Sequence, residues 1–266
     1  MAIINGMDLR DATVRDVIHM FFLLDNSGSM GGAPIQTLNE AMVNVLSEVA
    51  ATAMKKEVTV MVHALSFSGG VRWLCGTTAE HGVDAANIVW NDITTEGNTN
   101  TALAIRSILP GLSRRLLGHY AYRPIIVLIT DAYSDNRNET MAAIDELINR
   151  QKTIRVAVGV SGYKADELND FASTGTVKKM DDLGNEEAST EQKLIFPVDQ
   201  AEELAGVITD VAVSSLISSM ITKQVEHGET PEKLKEENPE DIVITLTPHA
   251  PTADEEEDGD DKSWIM

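Results

Sequence analysis

The chain has 266 residues, 43% of them apolar and 24% charged, with a net charge of -21. That length and apolar share suffice for one large domain with a buried core and some chain to spare. The excess of 42 acidic over 21 basic residues excludes nucleic acid as the main partner, because phosphate contacts need clustered Lys and Arg.

A single cysteine, Cys75, excludes an internal disulfide framework and fits a reducing compartment. The opening "MAIINGMDLRDATVRD" lacks the charged-then-apolar pattern of a signal peptide. No run reads as the ~18–20 apolar residues of a membrane helix. The expectation is a soluble, cytoplasmic protein without membrane contact.

"VIHMFFLL" at Val17–Leu24 is a continuous apolar run of strand length, the pattern of a strand buried on both faces of a parallel sheet. Pro34 opens a helical stretch with Ile35, Leu38, Met42, Val45, Leu46 and Val49 on one face. Val58–Phe67 reads as a second strand, and Val71–Cys75 after "SGG" completes a hairpin. A loop-rich segment follows. Thr99–Leu117 reads as a helix that Pro110 and Gly111 kink or break. "IIVLIT" at Ile125–Thr130 is a buried strand ending at Asp131, and Asn138–Arg150 is helical. Thr153–Val160 is a strand, Lys164–Ala172 a short helix, Leu194–Val198 a last strand and Gln200–Ile221 a last helix. Strands alternating with helices of this length predict an α/β fold, a doubly wound, mostly parallel sheet flanked by helices.

In such sheets ligands bind at the carboxyl ends of the strands, where Asp25 and Asp131 both fall. Ser27 and Ser29 follow in the first loop, and "EGNTNTALAI" adds Thr99 and Thr101 at the mouth of a helix. These are hard oxygen donors without His or Cys, which suits Mg²⁺, Ca²⁺ or Mn²⁺ rather than zinc or copper. His63 in its strand pattern is expected in the core or at an edge, and Cys75 is expected buried and inert.

"DNSGSM" resembles the Asp-x-Ser-x-Ser motif of von Willebrand factor A (VWA) domains, the first part of their metal-ion-dependent adhesion site. "GNTNTALA" is similar to the threonine loop of that site and "VLITDAYSD" to its third element. The resemblance implies that Ser27, Ser29 and Thr99 bind the metal directly, with Asp25 and Asp131 acting directly or through water. It implies Mg²⁺, with Mn²⁺ or Ca²⁺ also compatible, and a protein partner that donates a Glu or Asp carboxylate to the open position. "LLDNSGSMGGAPI" further resembles bacterial tellurium-resistance-type, stand-alone VWA proteins of stress-response systems, which implies a protein kinase or phosphatase as partner. The chain departs from the family pattern at Asn98, where a second glycine is common, and at "DAYSD", where Asp-Gly-x-x-Thr-Asp is usual.

The charge is uneven. From Lys223 onward 14 acidic residues meet 4 basic ones, a net -10. Blocks of like charge repel themselves and serve as interaction tails. The expected organisation is therefore an extension at 1–16, a VWA domain at 17–222 and an unfolded acidic tail at 223–266. Its apolar end, Trp264–Met266, offers an anchor for self-association through the tail. An enzyme is not expected. A haloacid-dehalogenase-type, Mg²⁺-dependent phosphatase wants a second Asp two positions after the first, and Ser27 stands there. A scaffold with a vestigial metal site is the third reading.

Overall fold

The computed structural model describes residues 16–113, 117, 122–131, 134–160, 162–198, 201–226 and 242–248. The chain runs β1 (Val17–Asp25), α1 (Ala33–Lys55), β2 (Thr59–Phe67), β3 (Val71–Cys75), β4 (Val83–Asp84) and α2 (Thr101–Ile108). It continues with β5 (Ile125–Thr130), α3 (Arg137–Arg150), β6 (Ile154–Val160), α4 (Ala165–Phe171), β7 (Thr174–Met180) and β8 (Glu186–Lys193). β9 (Ile195–Val198), α5 (Ala201–Glu226) and β10 (Val243–Leu246) follow.

The main sheet has the order β3-β2-β1-β5-β6-β9, with the short β4 also paired to β2. β1, β2, β5, β6 and β9 run parallel, and β3 and β4 are antiparallel to β2. This is the expected doubly wound, mostly parallel α/β sheet. The central strands alternate inside a continuous apolar run because both faces are covered. Met20, Phe22 and Leu24 of β1 join the cluster under α1 and α5, while Phe21 and Leu23 join the one under α2, α3 and α4. Pro197 lies in the edge strand β9, where a missing N–H is tolerated.

The elements differ from the expectation in three places. The helix read at Thr99–Leu117 is α2 from Thr101 to Ile108, continued by a 3-10 turn over Leu109–Leu112 that Pro110 and Gly111 impose. Asn100 caps α2, its side chain accepting from the Leu103 N–H at 3.0 Å, so Thr99 precedes the helix. Second, a β7–β8 hairpin spans Thr174–Lys193. Every residue of β8 is exposed, so no apolar period marks it.

Third, the domain does not end at Thr222. α5 continues to Glu226, and β10 pairs in parallel with β7 to form a small second sheet, β10-β7-β8. Ile242 and Ile244 are fully buried there, which a free tail could not offer them. Apart from Asp16 and these folded parts, the extension at 1–16 and the acidic tail with Trp264–Met266 lie outside the described residues.

The outer edge of β10 is met by a stripe of α5. The Ser218 hydroxyl donates to the Val243 carbonyl at 2.7 Å and accepts from its N–H at 3.0 Å. Ser214 does the same for Thr245, at 3.3 and 3.0 Å, and the Asp210 carboxylate accepts from the Thr247 N–H at 2.7 Å. Strand edges otherwise leave backbone groups unpaired. The 19-residue stretch Glu203–Ile221 of α5 is long and apolar enough to cross a membrane, contrary to the sequence reading. Here its apolar side, with Leu204, Ile208, Val211 and Leu216, is packed into the core under the sheet.

His63 is buried, as expected, against Phe21 with ring centroids 4.3 Å apart. Its Nε2 lies 3.0 Å from His19 Nδ1. Burial first, then the neighbouring His19 and His81, lower its pKa from 6.5 to about 3. Cys75 is a buried free thiol, pushed up to about 11 by burial.

Two outcomes follow from these contacts. Ser218→Ala strands the Val243 N–H and carbonyl, and chemical denaturation is expected to show a loss of about 1–3 kcal/mol. For His63 the unfolded chain binds a proton that the fold refuses. Stability is therefore whole above about pH 6.5 and falls toward about pH 3, at about 1.4 kcal/mol per unit of pH. His63→Phe keeps a ring on Phe21 and removes the proton site, so its stability is expected to vary less between pH 6.5 and 4.

Candidate metal centre

The centre is assembled at the carboxyl edge of the main sheet from three loops. β1 ends in Asp25, which is fully buried, and Ser27 beside it is also buried. The Ser27 N–H donates to Asp25 Oδ1 at 2.8 Å, and the Ser27 and Ser29 hydroxyls lie 3.0 Å apart. Gly32 follows with φ of 85°, a left-handed turn that glycine adopts without strain, and delivers the chain into α1.

Thr99 lies on the second loop, which is laced to the first through the backbone. Gly28 N–H donates to the Gly97 carbonyl at 3.2 Å, and Glu96 N–H to the Asn26 carbonyl at 2.8 Å. Gly97 has φ of 60°, a backbone conformation that glycine adopts without strain. The Asn26 side chain donates to the Thr94 carbonyl at 2.7 Å, closing the same seam.

Asp131 follows β5 directly and is buried. Asp135 N–H, further along that loop, donates to the Thr99 carbonyl at 2.9 Å. Tyr133, beside the site in sequence, lies outside the described residues. Asp25, Ser27, Ser29, Thr99 and Asp131 thus all sit at one edge. Asp25, Ser27 and Ser29 are linked by side-chain hydrogen bonds, while Thr99 is tied in through its backbone.

The electrostatics of Asp25 are those of a charge awaiting a counter-charge. Burial raises its carboxyl above the usual carboxylate range. The hydroxyls of Thr130 and Ser27 and the Ser27 N–H pull it back down, and the charge of Asp131 raises it again. Thr130 Oγ1 donates to Asp25 Oδ2 at 2.6 Å. The residues fit a hard divalent cation: the donors are oxygens only, and a cation would relieve both the desolvation of Asp25 and its repulsion by Asp131. Among the described residues no three His, Cys, Asp or Glu side chains converge.

Thr130 escaped the sequence reading because it looks like one more β-branched strand residue. Its position directly before Asp131 was the available signal. Glu167 and Ser134 were equally silent, and their bond at 2.5 Å joins α4 to the third loop.

Residues 19–192 match the von Willebrand factor type A domain. The chain belongs to the VWA family. Among solved structures, a von Willebrand factor type A protein from Catenulispora acidiphila is similar at 13% identity with a TM-score of 0.52. It covers 77% of this chain, and this chain covers 43% of it. The VWA2 paralog of ArnB from Sulfolobus acidocaldarius is similar at 13% identity and TM-score 0.49, covering 74% of this chain and 44% of its own. Proximal thread matrix protein 1 of the mussel byssus, in a form whose MIDAS motif is occupied by zinc, is similar at 14% identity and TM-score 0.47. It covers 75% of this chain and 45% of its own length. The chain therefore spans less than half the length of these structures, and the likeness concerns the fold of the VWA domain. No curated protein matches the chain.

With every cation chelated, Asp25→Asn is expected to raise the melting temperature by about 2–4 °C. The substitution removes a charge that folding desolvates, and about 1 kcal/mol corresponds to that shift in a domain of this size. Differential scanning calorimetry reads the outcome.

Proposed function

We propose that Asp25, Ser27, Ser29, Thr99 and Asp131 form a metal-ion-dependent adhesion site, and that this VWA domain is a cation-dependent protein-interaction module. The observation that carries the reading is Asp25. It is a fully buried carboxylate at the end of the central strand, steadied by neutral hydroxyls and facing a second carboxylate. Neutral hydroxyl ligands leave a bound cation much of its charge, and buried carboxylates nearby orient the shell without quenching it. A bound Mg²⁺, or Mn²⁺ or Ca²⁺, supplies an electrophilic position for an outside carboxylate.

The chain's own contribution is geometric. The Ser27 N–H and the Thr130 hydroxyl hold both oxygens of Asp25, and the Gly28–Gly97 bond holds the threonine loop against the serine loop. The partner is a protein presenting a Glu or Asp side chain. The likeness of "LLDNSGSMGGAPI" to tellurium-resistance-type VWA proteins favours a cytoplasmic stress-response setting with a kinase or phosphatase as partner. The module is non-catalytic on this reading, because Ser27 occupies the place where a phosphatase of this topology would need its acid/base.

Affinity capture from the native host, with wild type and Asp25→Ala in Mg²⁺ or EDTA, tests the reading. A protein held only by wild type in Mg²⁺ is the expected result, accompanied by a Mg²⁺-dependent rise in melting temperature that Asp25→Ala abolishes. Capture of the same proteins in all four conditions, with no effect of Mg²⁺ on melting, overturns it.

A further inference from the structure

Glu167 lies in the first turn of α4 and is buried, with 8% of its surface exposed. Its Oε2 accepts from the Ser134 hydroxyl at 2.5 Å. One residue on, the Asp135 N–H donates to the carbonyl of Thr99 at 2.9 Å. Ser134 and Asp135 are therefore held on one side by α4 and on the other by the threonine loop. A buried carboxylate on a neighbouring helix is an uncommon way to secure a surface loop, since its desolvation must be offset by its hydrogen bonds.

A small cavity adjoins the same carboxylate. It holds about 10 Å³, roughly the space for one water, and four polar side chains line it: Thr101, Thr130, Thr140 and Glu167. Thr101 Oγ1 is buried, 5% of the residue being exposed, and has no hydrogen-bond partner among the described residues. A water there that accepts from Thr101 and donates to Glu167 satisfies the unpartnered hydroxyl.

We propose that Glu167 is a positioning residue of the cation site. It acts through Ser134 on the segment that holds the Thr99 carbonyl, and one water in the cavity joins it to Thr101. The proposal deepens the adhesion-site reading and rests on it for its effect on cations. Its effect on the loop is independent of any cation.

The test uses the full chain with Ser134→Ala, Glu167→Ala, Glu167→Gln, Thr101→Val and the Ser134→Ala/Glu167→Ala pair. Hydrogen exchange of the Asp135 amide is read in EDTA, Mg²⁺ affinity by calorimetry and melting temperature by scanning calorimetry. Ser134→Ala and Glu167→Ala are each expected to speed exchange of the Asp135 amide about tenfold and to weaken Mg²⁺ about tenfold. The pair is expected to cost no more than Glu167→Ala alone, since that variant already breaks the bond that Ser134→Ala removes. Glu167→Gln keeps an acceptor for Ser134 and is expected to stay within about threefold of wild type.

Unchanged Asp135 exchange in Ser134→Ala overturns the positioning role, whatever happens to melting. Thr101→Val is expected to lower the melting temperature by removing a ligand of the water, and a rise overturns the water. If wild type binds no cation, the adhesion-site reading fails, and the exchange data still decide this one.

Discussion

Everything at the carboxyl edge of the sheet depends on one unfavourable placement, the Asp25 carboxylate at zero exposure on the end of the central strand. A charge taken out of water must be resolvated by the fold, or it neutralises. The chain resolvates it with a backbone N–H two residues ahead and with a hydroxyl from the neighbouring strand. Glycine recurs around it at positions 28, 31, 32 and 97, and at Gly32 and Gly97 the backbone takes a positive φ. On the proposed reading, the same residue that makes the edge costly is the one that draws a cation to it.

The main sheet is largely legible in the sequence. β5 falls at Ile125–Thr130 as expected, and β1, β2, β6 and β9 differ from their expected spans by a residue. Such strands announce themselves because both faces are covered, and the apolar run is unbroken. The six apolar positions assigned to one face of α1 are all buried. The edge carrying the candidate centre could be read for a related reason, since an aspartate after an apolar run is a sharp change of solvent.

Other features were illegible for equally physical reasons. β8 is wet on both faces, so nothing in its composition distinguishes it from a loop. β10 is four residues long and sits among strongly charged neighbours, so the local composition hid a short apolar alternation at Ile242, Ile244 and Leu246. Glu167 and Ser134 are far apart in sequence, and only the return of α4 beside β6 brings them together. Side-chain pairs of that kind leave no periodic trace.

The stripe that meets β10 sets its own limit. Asp210, Ser214 and Ser218 recur every four residues of a helix, a repeat of about 6.0 Å. The groups they bind, on residues 247, 245 and 243, recur every two residues of a strand, about 6.6 Å. The two rulers slip by about 0.6 Å at each rung, a slip that hydrogen-bond lengths absorb once or twice and then cannot. The chain meets the third rung with aspartate, whose carboxylate reaches one bond further than a serine hydroxyl. Like a vernier, helix and strand coincide over a short window, and the strand that docks there is accordingly four residues long.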